Sequence, residues 1–306
     1  MLQGLKGTFI QWIFDRYMRW RLSELVRPNY LVMLEYPIDP KPRYGEGLPP
    51  HGQLADMLAQ DDDRYAATLR EMAAFIPQLL QIVESDTPAS AEDPLWNNGY
   101  FSGLDAITLY GMLGLRKPCR YLEIGSGNST KFARRAVRDL GLSTTITSID
   151  PFPRAEIDTL CDRVIRQPVE AVDDAVFDEL ESGDILFIDN SHRVFTNSDA
   201  NVCFLEILPR LTTGVLVHVH DIFLPYDYPA TWMSRHYFEQ YLLAAFMIAR
   251  YAKLRVMLPN AYIARHPQLN KLVDELWADA VFTRAFAAHG ASAGGYKGAS
   301  FWLEMV

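Results

Sequence analysis

The chain has little cysteine. Its 306 residues include three cysteines, Cys119, Cys161 and Cys203, which lie far apart and form no CxxC pair. This spacing excludes a zinc knuckle and argues against a disulfide framework. We therefore expect each cysteine to be a small, mostly buried residue, and we expect the protein to work in a reducing compartment such as the cytoplasm.

Positive charge is also scarce. Twenty-nine lysines and arginines stand against 38 aspartates and glutamates, which gives a formal charge of −9. A general nucleic-acid-binding protein shows a basic footprint instead. The composition therefore argues against that class and leaves room only for a local basic patch, and no nucleic-acid partner is expected.

Long apolar runs are missing at the N-terminus. The segment GTFIQWIFDRYMRWRLSELVRP (7–28) is interrupted by Asp15 and by several arginines, so it fits neither a signal peptide nor a bilayer-spanning helix. Phe9, Ile13, Trp20 and Leu25 predict a helix with one apolar face and a basic remainder. We expect this helix to pack on its own domain or on a partner subunit, and the partner subunit could be a second copy of this chain in a homo-oligomer. Peripheral contact of residues 1–28 with an acidic membrane surface is the alternative.

The first third of the chain predicts a helical N-terminal extension over residues 1–95. A connector rich in proline and glycine covers residues 36–52, and helical spacing resumes over 65–83, where Pro77 predicts a kink or a break. Another helix is predicted over 104–113. The second domain is assigned to residues 96–306.

A strand–helix alternation begins near residue 119. Apolar runs typical of strands occur at 121–124, 144–149, 163–165, 184–188 and 215–220. Helical stretches lie between them, notably at 130–140 and 198–208. This alternation predicts a parallel sheet covered by helices on both faces, with ligands at the carboxyl ends of the strands.

A glycine turn follows the first of these strands in the segment YLEIGSGNST (121–130). Gly125, Ser126 and Gly127 predict a tight turn, and Asn128, Ser129 or Thr130 can cap the helix that follows. A strand before and a helix after are the context of a nucleotide-binding glycine motif. Thr130, however, replaces the third glycine of a dinucleotide motif.

The acid before this turn favours one kind of ligand. Glu123 would repel a pyrophosphate at the mouth of the turn, whereas S-adenosylmethionine (SAM) carries a sulfonium and an ammonium group and no phosphate. Asp150 closes the second strand, where an acid can accept hydrogen bonds from both ribose hydroxyls. Alternatively, Glu123 caps backbone amides and Asp150 caps a turn.

Four segments together resemble class I SAM-dependent methyltransferases: LEIGSGNST, SIDP, DILFIDNSH and GVLVHVHDIF. The resemblance is closest to natural-product and sugar O-methyltransferases with a DxxH element after strand four, and it covers residues 96–306. It implies a Rossmann-like α/β fold with a doubly wound seven-stranded sheet, mostly parallel, with one antiparallel strand at 298–306. The cofactor-binding residues that it implies are Glu123, Gly125, Ser126, Gly127, Ser129, Asp150 and Asp189.

Candidate catalytic residues follow strands four and five. Asp189 precedes His192, and Asp221 follows His220. In a parallel sheet these ends can be neighbours, so we expect His192 or His220 to act as the general base, oriented by Asp189 or Asp221. His218 lies within the strand and is expected to be buried.

A metal ion is a further possibility at Asp189 and Asp221. Catechol-type members of the family bind magnesium with an acid after strand four and an Asp–Asn pair after strand five. Here Ile222 stands in place of the asparagine. His192 or His220 could supply the missing ligand, although imidazole favours softer metals than magnesium.

The expected function is methylation of a hydroxyl on a small molecule or a glycan. Aromatic residues over 224–246 and 95–105 are candidates for the walls of an acceptor site. Two alternatives stay open: a metal-dependent, hydroxylase-like enzyme on the same SAM-binding fold, or a non-catalytic adaptor recruited through the N-terminal helix.

Overall fold

The computed structural model describes residues 12–21, 35–84, 90–153 and 155–306. The chain divides into two compact units, residues 1–40 and 41–306. In the described part of the second unit, seven strands form one sheet in the order β3-β2-β1-β4-β5-β7-β6. The strands are β1 Arg120–Ile124, β2 Thr145–Ile149, β3 Arg163–Ile165, β4 Ile185–Ile188, β5 Leu216–Val219, β6 Leu254–Pro259 and β7 Phe301–Met305.

The first five strands pair in parallel, and β7 runs antiparallel to both β5 and β6. The expected Rossmann-like α/β class is therefore confirmed, including the antiparallel strand at the C-terminal end of the chain. The sequence analysis did not predict β6, which forms an edge of the sheet. The order reverses between β1 and β4, which places the switch point at the glycine turn.

The central strands are buried along their length. All residues of β4 and β5 are buried, as are four of the five in β1. Burial on both faces is why these strands are continuous apolar runs rather than alternating patterns.

The positions of the longer helices agree with most of the helices predicted from the sequence. They are α1 Gly52–Ala59, α2 Asp62–Met72, α3 Gly103–Arg116, α4 Asn128–Asp139, α5 (Asp199–Val202, continuing through a π-helical Cys203–Ile207 to Leu208–Arg210), α6 Glu239–Ile248, α7 Asn260–Arg265, α8 Pro267–Leu276 and α9 Ala280–Ser292. The helix predicted over 65–83 is broken after α2, first by the 3₁₀ turn Ala73–Phe75 and then by the short helix Ile76–Leu79. Pro77 lies in the first turn of that short helix, where its missing N–H costs nothing.

Helix α3 is almost wholly buried and connects the extension to the sheet domain. It packs against α2, α4 and α9. A Cβ atom at Gly111 would lie 2.6 Å from the Met72 side chain, so the close approach of α2 requires glycine there. Residues 41–95 and the sheet therefore lie in one compact unit, and the division at residue 95 stays a prediction.

The N-terminal helix is described over residues 12–21, and Ile13 and Trp20 are exposed on it. Phe9 and Leu25, also assigned to its apolar face, lie outside the described residues. Among the described helices, none has both the length and the apolar character that crossing a bilayer requires. Membrane-surface contact through residues 1–28 stays a prediction.

Candidate active site at the carboxyl edge of the sheet

The candidate site residues follow adjacent strands and meet at one edge of the sheet. Asp189 N donates a hydrogen bond to Ile124 O at 2.8 Å, and His220 N donates to Ile188 O at 2.9 Å. The ladder thus continues one residue past each strand. The expected convergence of the residues after β1, β4 and β5 is what the structure shows.

The glycine turn requires glycine at its first position. Gly125 has a φ of +81°, and a Cβ atom there would lie 1.9 Å from the carbonyl oxygen of Asp189. Any side chain would push β1 and β4 apart at this point. By contrast, a Cβ atom at Gly127 would meet no atom within 4 Å, so this glycine leaves open space beside the turn.

Glu123 lies beneath the turn and not at its mouth. Its side chain is fully buried and accepts hydrogen bonds from the hydroxyls of Tyr121, Ser129 and Thr130. Thr130 Oγ1 also accepts from Gly127 N at 3.0 Å. Burial raises the pKa of Glu123 to about 7, and the three hydroxyls only partly oppose that rise.

The position of Glu123 differs from the sequence expectation for a physical reason. The hydroxyls at positions 121, 129 and 130 supply hydrogen bonds that let the carboxyl group stay inside the fold. Glu123 and Ser129 therefore hold the shape of the turn from below. A contact of either residue with a cofactor stays a prediction.

A cavity of about 330 Å³ opens beside the turn, and Asp150 lies in its wall. Asp150 Oδ2 accepts from Ser126 N at 2.8 Å, and Oδ1 accepts from Phe152 N at 2.7 Å. The Ser126 hydroxyl lies 2.7 Å from that of Ser148. Each carboxylate oxygen of Asp150 keeps a lone pair for a further donor, such as a ribose hydroxyl.

The charge of the cavity wall is one-sided. The residues that line it are Ile124, Gly125, Ser126, Ile149, Asp150, Pro151, Phe152, Pro168, Val169, Glu170, Asp189, Asn190, Ser191 and Asp199. Among these described lining residues four are acidic and none is basic. Among the described lining residues the charge is therefore negative, which favours a ligand with positive charge over a pyrophosphate.

The other end of the site is a cluster of two histidines and two aspartates, which we call the histidine cluster: Asp189, His192, His220 and Asp221. His192 Nε2 lies 3.2 Å from Asp189 Oδ1 and 3.4 Å from Asp221 Oδ2. His220 Nδ1 lies 3.4 Å from Asp189 Oδ1 and 3.5 Å from Asp221 Oδ1. Asp189 belongs to both the cluster and the cavity wall, so the two parts of the site share one side chain.

Two of the four members have a left-handed backbone. His192 has a φ of +60° and Asp221 a φ of +58°. For a residue other than glycine this conformation costs roughly 1 kcal/mol, and it is found preferentially at functional sites. Here it turns both side chains toward the space between β4 and β5.

Two further carboxylates, which the sequence analysis did not identify, lie behind the histidines. Glu239 at the start of α6 has one oxygen 2.9 Å from His192 Nδ1 and accepts from Asn190 Nδ2 at 2.9 Å with the other. Asp105 in α3 has an oxygen 3.4 Å from His220 Nε2. Neither follows a strand of the sheet, so no motif in the sequence marked them.

The carboxylates set the protonation of both histidines. Burial alone lowers the pKa of His192, but Asp189, Glu239 and Asp221 outweigh it and raise that pKa well above its ordinary value. The pKa of His220 is raised in the same way, against its burial, by Asp221, Asp189 and Asp105. Both imidazoles thus favour the cationic form when no other cation is present.

His218 is part of the core, as expected. Its side chain is fully buried, its Nε2 lies 2.6 Å from the Ser300 hydroxyl, and its ring stacks on Trp302 with 4.0 Å between centroids. Burial lowers its pKa well below the ordinary value, so it is a neutral packing residue.

The aromatic segments expected to form an acceptor wall divide between two roles. In 224–246, Tyr228 and Trp232 pack with Phe223 in a separate buried cluster, whereas the ring of Tyr237 lies 4.7 Å from that of His192. In 95–105, the ring of Phe101 lies 5.1 Å from that of His220. Four of these aromatics, Trp96, Phe101, Tyr228 and Trp232, are therefore core residues, and one in each segment contacts a cluster histidine.

A known protein family matches part of the chain. Residues 122–222 match a family described as a methyltransferase domain, which confirms the methyltransferase resemblance found in the sequence. This range contains the glycine turn, Asp150 and the whole histidine cluster. No curated protein matches the chain.

Several solved structures are similar to the chain. The methyltransferase PaMTH1 of Podospora anserina, solved with S-adenosylhomocysteine (SAH) bound, is 16% identical over 70% of this chain and 93% of its own, with a TM-score of 0.36. The plantazolicin methyltransferase BpumL with SAH is 16% identical over 82% and 93%, with a TM-score of 0.38. An O-methyltransferase of Bacillus cereus with SAH is 14% identical over 84% and 96%, with a TM-score of 0.30.

Proposed function

We propose, from the methyltransferase domain at residues 122–222, that the chain binds SAM in the cavity beside the glycine turn and transfers its methyl group to a hydroxyl oxygen. The observation that carries this proposal is the acidic cavity wall that continues, through Asp189, into the histidine cluster. The acceptor is a small hydroxylated molecule or one sugar of a larger glycan.

The cavity suits SAM better than a dinucleotide for electrostatic reasons. Asp150, Glu170, Asp189 and Asp199 line it without a basic residue among the described ones, so a sulfonium and an ammonium group are attracted and a diphosphate is repelled. Asp150 accepts hydrogen bonds from the ribose, and the backbone of Gly125, Ser126 and Gly127 approaches the ligand without intervening side chains. The argument from charge thus rests on the cavity wall and not on Glu123.

The histidine cluster serves the acceptor. In the transfer, the bond between the methyl carbon and sulfur breaks as a bond from that carbon to the acceptor oxygen forms, and the sulfonium becomes a neutral thioether. The hydroxyl proton passes to a ring nitrogen of His192 or His220, because a neutral oxygen is a poor nucleophile and the positive charge of bound SAM favours the neutral imidazole. Asp189, His192 and His220 are the residues proposed to act at this step.

The cofactor assignment is tested by calorimetry with SAM, SAH and NAD. Asp150→Ala is expected to weaken SAM binding at least tenfold, because it removes the ribose acceptor and one wall charge, while the melting temperature changes little. Asp158→Ala is the control, since Asp158 is 64% exposed and lies outside this cavity. Unchanged SAM affinity in Asp150→Ala, or tighter binding of NAD than of SAM, would contradict the assignment.

The acceptor assignment is tested by following SAH formation with sugars, phenols and amines as acceptors. We expect hydroxyl acceptors to be methylated, and His192→Ala and His220→Ala to lose most of this activity while still binding SAM. Methylation of amines alone would overturn the assignment to oxygen. Full activity in both variants would remove the histidines from the mechanism.

A further inference from the structure

The residues after β5 do not provide the all-oxygen ligand set that magnesium takes in catechol-type methyltransferases. Ile222 stands where those enzymes have an asparagine, and its side chain is fully buried in the core. The groups that face Asp189 and Asp221 are instead imidazole nitrogens of His192 and His220. The donor set is therefore two nitrogens and two carboxylates.

The spacing of three of these donors, from Asp189, His220 and Asp221, fits one bound ion, and His192 Nε2 lies next to both aspartates. The four nitrogen–oxygen distances in the histidine cluster are 3.2, 3.4, 3.4 and 3.5 Å. Ligand atoms about 2.1 Å from a common metal ion are separated by roughly 3.0 Å in an octahedron and 3.4 Å in a tetrahedron. One potential ligand atom each from Asp189, His220 and Asp221 lies within 4.8 Å of the others.

His220 also has ring nitrogens without hydrogen-bond partners. Its side chain is 4% exposed, and neither Nδ1 nor Nε2 makes a hydrogen bond within the described part of the chain. A buried polar atom without a partner is costly, and Nδ1 points at the two aspartates. A metal ion between His220 and the two aspartates would give Nδ1 a partner.

Each histidine has a buried carboxylate behind it. Glu239 holds His192 Nδ1 at 2.9 Å, so Nε2 is the nitrogen that faces the cluster. Asp105 lies 3.4 Å from His220 Nε2, so Nδ1 is the nitrogen that faces the cluster. A carboxylate on the far nitrogen is the usual support of a metal-binding histidine, because it fixes the ring and its tautomer.

The charge balance also calls for a cation. Asp105, Asp189, Asp221 and Glu239 bring four carboxylates into one cluster, with exposures of 0 to 31%. In the described ranges none of the four forms an ion pair with a lysine or arginine. Their only cationic partners among the described residues are histidines. A divalent ion can balance the negative charge of the carboxylates in place of protonated histidines.

We infer that Asp189, His192, His220 and Asp221 bind a divalent first-row transition-metal ion, and that Asp105 and Glu239 position the two histidines. Imidazole ligands favour such ions over magnesium. The role in catalysis rests on the proposed function: the bound ion would lower the pKa of the acceptor hydroxyl. Binding of the ion does not depend on SAM.

The test titrates the chelator-treated chain with Mn²⁺, Zn²⁺ and Mg²⁺ by calorimetry, without SAM or acceptor. We expect one Mn²⁺ or Zn²⁺ per chain and at least 100-fold weaker binding of Mg²⁺. The electron paramagnetic resonance spectrum of bound Mn²⁺ should show coupling to the imidazole nitrogens. This coupling should disappear when His192→Ala and His220→Ala are combined in one variant. Glu239→Gln should weaken Mn²⁺ binding 10- to 100-fold.

His266→Ala is the matched control, because His266 pairs with Asp62 at 3.3 Å outside the cluster, and it should bind Mn²⁺ like the parent. If His220→Ala does not fold, His192→Ala and Glu239→Gln test binding of the same ion, because these two residues lie outside β5 and the turn that follows it. Absence of Mn²⁺ and Zn²⁺ binding at millimolar concentration would overturn the inference, as would Mg²⁺ binding that both histidine variants leave unchanged. If the chain binds SAM but no metal ion, the metal site is refuted and the proposed function is not. If it binds the metal ion but not SAM, the proposed function is refuted and the metal site is not.

Discussion

The glycine turn and the histidine cluster both bury carboxyl groups at the same edge of the sheet, but with opposite partners. Glu123 is held by three neutral hydroxyls, and its pKa is raised to about 7, chiefly by burial. Asp105, behind the histidine cluster, is as fully buried as Glu123, yet His220 and His289 outweigh that burial and lower its pKa. The charge of the partners, more than depth, decides which carboxyl group stays ionised.

The two regions also differ in how far apart their partners lie in the sequence. Every hydroxyl that binds Glu123 lies within seven residues of it. The carboxylates behind His192 and His220 come from Glu239 in α6 and Asp105 in α3. The turn is a local structure, whereas the cluster exists only when three parts of the chain have packed together.

Gly125→Ala should have the largest effect and should damage the junction that the two regions share. The new Cβ atom would clash with the Asp189 carbonyl oxygen, and φ is +81° there. We expect a loss of more than about 5 kcal/mol in the free energy of unfolding, measured with urea.

Gly127→Ala is its control, because a Cβ atom there meets open space and the cost should stay below about 1 kcal/mol. Equal losses in the two variants would mean that β1 and β4 do not meet at Gly125 as described.

Asp105→Asn should have the next largest effect and tests the non-local region. Asp105 Oδ1 accepts from Ser300 N at 2.7 Å and from Asn260 Nδ2 at 2.8 Å, and Ala299 N donates to both of its oxygens. An amide keeps one oxygen for Ser300 N and Asn260 Nδ2, but its NH₂ group would face Ala299 N and His220. We expect a loss of about 4 kcal/mol in urea unfolding.

Asp274→Asn is the comparison, since Asp274 pairs with Lys297 but is 56% exposed and should cost less than about 1 kcal/mol. If Asp105→Asn is equally mild, the carboxylate does not organise the contact between α3 and β7.

Glu123→Gln should have the smallest effect, and one that depends on pH. The folded-state pKa of about 7 exceeds the ordinary value of 4.5, so above pH 4.5 the folded chain retains a proton that the unfolded chain loses. This carboxyl group therefore lowers the free energy of unfolding as pH rises from about 4.5 to 7, by about 3 kcal/mol at most.

Glutamine has no such titration, so the variant and the parent should be similar at pH 5 and the variant more stable at pH 8. Urea midpoints at both pH values measure this difference, because the histidines titrate alike in both proteins. Parallel pH curves would show that the carboxyl group of Glu123 is not buried among neutral partners.

Much of the architecture could be predicted because it follows from local patterns. The apolar runs at 121–124, 163–165 and 215–220 correspond to strands, and the glycine turn lies between β1 and α4 as expected. Strand β6 was not predicted, and among the described residues it pairs with β7 alone, at the far end of the sequence. The burial of Glu123 was not predicted, because the sequence does not show that the hydroxyls of Tyr121, Ser129 and Thr130 turn inward to its carboxyl group.

The sequence by itself determined which residues stand at the strand ends, because an apolar run, a glycine turn and a helix each form from neighbouring residues. It therefore placed Asp150, Asp189, His192, His220 and Asp221 at one edge of a parallel sheet. Only the tertiary structure decided that Asp105 and Glu239 stand behind the histidines. Those carboxylates arrive through the packing of α3 and α6, and no spacing in the sequence records which side chains two packed elements bring into contact.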